Sequence, residues 1–401
     1  MKVAINGTGI AGPTLAYWLK HYGHEPVLFE KSPTLRTGGY IIDFWGAGYK
    51  IADKMGIIPT MMKDAYIMER IRTVTAGGYT TSSLNVKSFM KLNDGRYMSI
   101  ARSELARNIY NACDGIETRL ATSVTGFEDH DDKTEVQLSN GKSEDFDLLI
   151  GADGLHSHVR ELAFGPQENF EKHLGFYVAA FTLSNYQPRD ELTYLSHTVP
   201  GKQVSRISLR NNETLFLFIF AKNLVSAQPE NEADEKTILR EIYGDMGWET
   251  KAILSRMDEV ENIYFDRISQ IRMPQWTKGR VALIGDAAAC ASLLAGEGTG
   301  LAMTEAYILA GELHRADGDY KQAFRIYQTR LQSHLKEKQD AALKFAGFFA
   351  PKNWLSLIAR DTMTNFASIP FLGQMILGSM FNDTFEFPNY EAIPHDRRTT
   401  S

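Results

Sequence analysis

The feature that most constrains this chain is the run Gly7-Thr8-Gly9-Ile10-Ala11-Gly12, set between the apolar segment 3–5 and the helically spaced segment 13–21. A second apolar segment, 26–29, follows and is closed by Glu30. Strand, glycine turn, helix, strand and a closing acid are the parts of a βαβ unit that holds a dinucleotide. Each part has a physical task. The first glycine permits a tight turn, the second lets the backbone approach a pyrophosphate, and the third lets helix and strand pack closely. The unpaired N–H groups at the start of the helix attract phosphate. Glu30 can accept hydrogen bonds from a ribose. Gly7, Gly9, Gly12 and Glu30 are therefore the first candidate binding residues.

Two later segments repeat part of this logic. One is Asp147-Leu-Leu-Ile-Gly-Ala-Asp153-Gly154, running on to Ser157 and Arg160; the other is Gly279-Arg-Val-Ala-Leu-Ile-Gly285-Asp286. Each places a carboxylate directly after a short apolar strand, where an open α/β sheet forms its ligand crevice. A lone Asp at such a place most often caps a helix. Three acid-bearing strand ends in one chain point instead to one shared ligand. The loop Ala295-Gly296-Glu297-Gly298 precedes a long helical stretch, so its N–H groups and the helix dipole can stabilise negative charge.

Composition narrows the class. The 401 residues hold 43 Lys and Arg against 49 Asp and Glu, a net charge of −6, with 43% hydrophobic and 23% charged residues. These values exclude intrinsic disorder and argue against nucleic acid as a main partner. The length suggests two domains. Cys113 and Cys290 stand alone, with no Cys/His ladder, so no metal site is expected and a reducing, cytoplasmic setting is. Segment 3–5 is too short for a signal sequence, and no apolar run is long enough to span a membrane.

Residues 174–221 read as an antiparallel sheet, with strands at 174–183, 191–198, 203–209 and 214–221 and turns at Pro200-Gly201 and Asn211-Asn212. Alternation places Phe216, Phe218 and Phe220 on one face of their strand. It does the same for Arg206, Ser208 and Arg210, and for Tyr177, Ala179 and Phe181. Tyr177, Phe181, Arg206, Ser208, Arg210, Phe216 and Phe218 are candidates to meet a flat substrate. The alternative is that the rings are core and the arginines solvated, and alternation alone does not orient the sheet. Helices are expected at 235–257, 298–313 and 320–349, and Asn140-Gly141 reads as a hairpin turn. None of the ten histidines offers a defensible general base.

The three strand-end motifs together resemble the single-component flavoprotein monooxygenases of the aromatic-hydroxylase fold, over residues 1 to about 330. The resemblance implies an α/β chain: a Rossmann-like FAD-binding domain (1–70, 98–172 and 277–330), an antiparallel-sheet substrate domain (71–97 and 173–276) and a C-terminal helical segment (331–401). It implies that Gly7, Gly9, Gly12 and Glu30 hold the ADP half of FAD, that Asp286 holds the ribityl chain and that Asp153 braces the cofactor region. Arg36 and Arg102 resemble the arginines of that family near the phosphates and ribityl chain. Lys31, Gly39, Asp43, Gly296 and Gly298 join the implied cofactor set. With no second glycine fingerprint, NAD(P)H is expected as a transient co-substrate, with O2 forming a flavin C4a-hydroperoxide that transfers oxygen to a phenol or enol. Two departures stand beside the expected flavin edge. Ala289-Cys-Ala-Ser292-Leu293 occupies the place of His-x-x-Pro-Pro, and Gly296-Glu297-Gly298 that of Gly-Gln-Gly.

A closer resemblance, to tetracycline-inactivating monooxygenases, rests on Gly38-Gly-Tyr-Ile-Ile-Asp43-Phe-Trp-Gly46, on the run from Phe265-Asp266 to Trp276-Thr-Lys-Gly279, and on Ala306-Tyr-Ile-Leu-Ala-Gly-Glu-Leu313. It implies a monomer acting on an aromatic, polyketide-like small molecule, a tetracycline among the options. It also implies a C-terminal helix crossing between the domains, which 331–380 would supply. The low-charge stretch 354–381 reads as such a helix, or as one lying on a membrane surface. Three rival functions remain: a reductase of the same fold without oxygen transfer, a flavin-containing protein that sequesters its ligand, and an interaction module built on the C-terminal helices.

Overall fold

The computed structural model describes residues 1–35, 40–86, 90, 95–226, 229, 231–293, 296–368 and 385–391, without the side chains of 344–346. Arg36 and Gly39, and with them Gly38, lie outside the described residues.

The first strand, Lys2–Asn6, sits inside a six-stranded sheet. Its apolar residues Val3, Ala4 and Ile5 are fully buried, as a parallel strand covered on both faces requires. The order across the sheet is Thr277–Lys278, Val281–Leu283, Leu148–Gly151, Lys2–Asn6, Glu25–Phe29 and Glu117–Arg119. All neighbours are parallel except the first pair. Register matters most here. Asn6 lies beside Gly151 and Phe29, and Gly151 beside Leu283. The three acid-bearing strand ends therefore finish side by side on one edge.

A seven-stranded sheet forms the second body, in the order Tyr264–Ile271, Glu171–Ser184, Glu213–Ala221, Lys202–Ser208, Thr193–Val199, Arg70–Val74 and Thr80–Asn85. It is antiparallel except where Thr193–Val199 meets Arg70–Val74. The expected strands are present, and 70–74, 80–85 and 264–271 extend them. The ribbon of Ile41–Trp45 with Tyr97–Ala101 lies between the two bodies, its Trp45 and Tyr97 packed with Ala180, Ile207 and Leu215 of the large sheet. Gly141, at φ +81°, turns the hairpin of Thr134–Leu138 with Ser143–Phe146.

The stretch expected as one helix over 235–257 is two, Glu232–Tyr243 and Thr250–Ser255. The break has a steric cause. A side chain at Gly247 would overlap Ala76, and Trp248 follows at φ +61°, a value no helix continues through. After the second glycine-rich loop come Gly298–Arg315 and the 30-residue helix Tyr320–Phe349, capped by Asp319 through the Gln322 amide. The last described helix, Trp354–Ala367, lies along the edge strand Thr80–Asn85. Thr81 Oγ1 donates to Asp361, and the Asn365 side chain accepts from Ser83 N and donates to Thr81 O. This docking sets one side of the helix on the large sheet, with Leu355, Ile358 and Phe366 exposed on the outer side. The remainder of 354–381, from 369 onward, lies outside the described residues. Among the described residues no helix is long and apolar enough to cross a membrane.

Candidate functional site

The glycine turn sorts its three glycines by task. Gly7 leaves its strand at φ +115° and its amide donates to Phe29 O at 2.8 Å. A Cβ there would overlap the Ala152 carbonyl, and one at Gly12 would overlap the Gly7 carbonyl oxygen. Those two glycines are demanded by the packing of the chain on itself. A Cβ at Gly9 would meet nothing within 4 Å. The chain's own packing demands no glycine there, and the open space lies at the start of helix Ala11–His21. That cradle fits the pyrophosphate of a dinucleotide. Glu30, 8% exposed, accepts from the Thr8 amide at 3.1 Å, from Thr8 Oγ1 at 2.6 Å and from Ser32 N at 3.0 Å. Its carboxylate is fixed beside the cradle and also braces the turn. Lys31 is exposed next to it.

Asp153 sits at the neighbouring strand end but is turned into the protein. It accepts from Asn6 Nδ2 at 3.0 Å, from Ser157 Oγ, and from the amides of His158 and Val159 at 2.9 and 3.1 Å. Asn6 in turn accepts from Val124 N. Asp153 thus ties the first strand to the helix His158–Phe164. Arg160, to which sequence reasoning assigned no role, carries that tie onward. It is wholly buried, donates to Ala287 O at 3.1 Å, Leu155 O at 2.7 Å and Gln167 Oε1 at 3.0 Å, and burial pulls its pKa below the usual arginine value. The signal was available: an arginine in the first turn of a helix following a strand-end acid.

Asp286 opens the single turn Asp286–Ala289 directly after Gly285, at φ +64°. A Cβ at Gly298 would lie 3.9 Å from Asp286 Oδ1, so this carboxylate faces the start of helix Gly298–Arg315. Arg102 is brought to the same place. Burial opposes its charge, but Tyr40, Asp286 and Tyr264 around it outweigh that and raise its pKa. Asp43 accepts from Tyr97 Oη at 2.7 Å and Ser99 Oγ at 2.6 Å, and it lines a crevice with Trp45, Gly48, Gly296, Glu297 and Gly300. The fold thus places Gly7, Gly9, Gly12, Glu30, Asp153, Arg102 and Asp286 along one edge of the six-stranded sheet. Asp43, Gly296 and Gly298 stand around the start of the helix above it. No group of His, Cys, Asp and Glu suited to a metal occurs among the described residues.

The proposed substrate face needs correction. Tyr177, Phe181, Phe216 and Phe218 are buried in a cluster with Ile238, Leu239, Ile242 and Ile253 of the two helices behind the large sheet. Arg206 points the same way, 2% exposed, with Nε 2.8 Å from Glu249 and Nη2 2.7 Å from Asp190. Ser208 is buried opposite Thr214. Arg210 donates to the Asp64 and Ala65 carbonyls and stacks on Tyr66 at 4.5 Å. Alternation grouped the residues within the strands by face, but Arg210 lies beyond the end of strand Lys202–Ser208 and does not share the face of Arg206, and alternation does not say which face helices 232–243 and 250–255 cover.

The opposite face looks toward Asp43, Trp45 and Tyr97 and carries a continuous polar row that the sequence reading missed. Arg360 donates to Thr198 Oγ1 at 3.3 Å, Thr198 to Gln203 Oε1 at 3.0 Å, Gln203 Nε2 to Tyr194 Oη at 3.2 Å, and Tyr194 to Ser205 Oγ at 2.7 Å. Burial pushes the Tyr194 phenol up to about 12, with Asp43 adding to the shift and Ser205 and Arg360 opposing it. Tyr194 is therefore a neutral hydroxyl at physiological pH.

A dinucleotide cradle on a parallel sheet, an aspartate and an arginine at the next strand ends, and a facing antiparallel sheet define an FAD-dependent oxidoreductase of the aromatic-hydroxylase fold. Comparison with known proteins makes this specific. The family described as FAD binding domain matches residues 1–317. A flavin-dependent monooxygenase from an unknown prokaryotic organism is 38% identical, over 85% of this chain and 87% of its own length. Another, from Legionella longbeachae serogroup 1 (strain NSW150), is 35% identical over 91% and 94%. The crystal structure of tetracycline destructase Tet(51) superposes with a TM-score of 0.83 at 32% identity, covering 97% of this chain and 99% of that one. The chain belongs to the FAD-binding-domain family and, within it, to the flavin-dependent monooxygenases.

Proposed function

We propose that this monooxygenase uses NAD(P)H and O2 to place one oxygen atom on a planar phenolic or enolic polycycle of the tetracycline kind. The carrying observation is the polar row Arg360–Thr198–Gln203–Tyr194–Ser205, set on the sheet face that looks toward the strand-end crevice. The row offers hydroxyl, amide and guanidinium groups to a ring system rich in oxygen, while Trp45, Leu215 and Leu217 on the same side offer apolar contact. The two tetracycline destructases among similar structures, Tet(51) and Tet(55), support this substrate class.

FAD, when bound and reduced, would supply the activation of O2 and the electrophilic oxygen. The chain supplies position and environment. Gly7, Gly9 and Gly12 form the pyrophosphate cradle, Glu30 accepts from the ribose, and Asp286 and Arg102 hold the ribityl chain and phosphates. The backbone of Gly296 and Gly298 stabilises negative charge at the flavin edge. In this reading residues 1–70, 98–172 and 277–330 hold FAD, residues 71–97 and 173–276 present the substrate, and the chain acts as a monomer. Among the described residues no histidine hydrogen-bonds to the polar row, and in this reading the ionisation of the substrate itself replaces a general base.

The test is aerobic NAD(P)H oxidation by the FAD-loaded protein, with and without chlortetracycline, with product masses read from the same tube. Stimulated oxidation with a product one oxygen atom heavier is the expected result. Oxidation without substrate stimulation and without a new mass refutes the tetracycline assignment. Tight binding without turnover would mark a ligand-sequestering protein.

A further inference from the structure

Beneath the Gly285–Asp286 turn lies a buried carboxyl, that of Glu305. Glu305 is on helix Gly298–Arg315, two turns in from its start, and is 1% exposed. Its Oε2 accepts from the Gly285 amide at 2.7 Å and from Tyr327 Oη at 3.2 Å. Its Oε1 is buried and has no hydrogen-bond partner. Tyr327 is itself fully buried on helix Tyr320–Phe349, and its hydroxyl also reaches Leu283 O at 3.0 Å. Two side chains from two helices therefore grip the last residues of one strand, Tyr327 on the Leu283 carbonyl and Glu305 on the Gly285 amide. The next residue is Asp286.

A buried acid with one orphaned oxygen is expensive to keep, and it is kept where it meets the Gly285 amide, which no β-ladder partner serves. Ile284 N has its partner in Gly151 O, and Gly285 O receives the amides of Ala288 and Ala289. The Gly285 amide is left to Glu305. Gly285 also has to be glycine: its φ is +64° and a Cβ would press on Ala11 at 3.1 Å.

We infer that Glu305 is a positioning residue for FAD: its carboxyl holds the Gly285 amide and so fixes the turn from which Asp286 reaches the cofactor. The inference rests on the reading of Asp286 given above. The acceptor role needs only a neutral carboxyl. Burial supplies one, pushing Glu305 up to about 8, with Asp286 adding to the rise and the Gly285 and Tyr327 donors opposing it. Asp286 from the turn and Tyr327 from the long helix are the titratable groups that face it. Ionisation of Glu305 would add negative charge beside Asp286 and an anionic cofactor, so FAD binding weakens as pH rises through that value.

The experiment measures the FAD dissociation constant of apo-protein by flavin fluorescence quenching, from pH 6.5 to 9, for wild type and for Glu305→Gln, Glu305→Leu and Asp286→Asn. Glu305→Gln keeps an acceptor oxygen for the Gly285 amide, so its affinity stays near wild type at pH 7 and loses the alkaline weakening. Glu305→Leu removes the acceptor and weakens FAD by about tenfold or more at pH 7, a loss of about 1.4 kcal/mol. A folded Leu variant that binds FAD as wild type does overturns the inference. If the Leu variant fails to fold, the pH profile decides: the same alkaline weakening in Glu305→Gln as in wild type overturns it. Asp286→Asn separates the two layers of argument. Unchanged affinity there refutes the Asp286 reading itself, whereas loss there with none in Glu305→Leu refutes only the clamp.

Discussion

The contrast between Gly9 and Gly12 yields a prediction in which stability and cofactor binding move independently. Gly9 does not sit at a left-handed φ, and a methyl group there meets nothing within 4 Å. Gly9→Ala therefore leaves the apo-protein no less stable, and the lost freedom of the unfolded chain stabilises it by about 0.4–1 kcal/mol. The same methyl stands in the space a pyrophosphate must enter to reach the amides at the start of helix Ala11–His21. Losing one or two charge-assisted hydrogen bonds of that kind costs about 2–4 kcal/mol, which weakens FAD about thirty- to a thousandfold. Gly12→Ala behaves in the opposite order. Its methyl overlaps the Gly7 carbonyl oxygen, which lies in backbone and cannot rotate away. Forcing the turn apart costs about 1–3 kcal/mol or more, against a helix-propensity gain of about 1 kcal/mol. The assay is urea unfolding of both apo variants by far-UV circular dichroism, alongside FAD titration. A Gly9→Ala protein that loses stability as Gly12→Ala does, or that binds FAD with wild-type affinity, refutes the assignment of the open space to the cofactor.

Three further outcomes follow from buried groups. Arg160→Met leaves the Ala287, Leu155 and Gln167 acceptors without a donor; unfolding free energy should fall by about 3 kcal/mol, with a lower flavin-to-protein ratio on purification. Arg206→Met breaks pairs with Glu249 and Asp190 and should cost about 3 kcal/mol while leaving the substrate KM unchanged; a raised KM at unchanged stability would return Arg206 to the substrate face. Glu305 has its folded pKa at about 8, above the 4.5 of the unfolded chain. Its contribution is full below 4.5 and is lost as pH rises toward 8, with a slope of up to about 1.4 kcal/mol per pH unit. Comparing the pH dependence of urea unfolding in wild type and Glu305→Gln isolates that slope, and identical profiles would show that Glu305 does not carry the proton.

What the sequence made legible was what local spacing encodes. The glycine turn, Glu30 and the two later strand-end acids were readable because a strand followed by a fixed turn can aim its backbone in few ways, and a parallel sheet aligns such ends without further instruction. Helices 298–315 and 320–349 were readable from apolar periodicity. Three things were not, and one physical reason covers them. The face of the large sheet that the helices leave uncovered, the Arg160 link and the Glu305 contacts are each fixed by which element covers which, across separations such as the 162 residues between Thr198 and Arg360. Periodicity assigns a residue to a face, and only tertiary packing assigns the face to a partner. The aromatic run Phe216, Phe218, Phe220 shows the consequence. Its pattern suits a flat ligand and an apolar core equally well, and the helices Glu232–Tyr243 and Thr250–Ser255 claim it for the core. The polar row Thr198, Gln203, Tyr194 and Ser205 lies on the opposite face, where its groups satisfy one another by hydrogen bonds. An alternating aromatic run in such a sheet therefore points to a ligand face only once the element covering it is known.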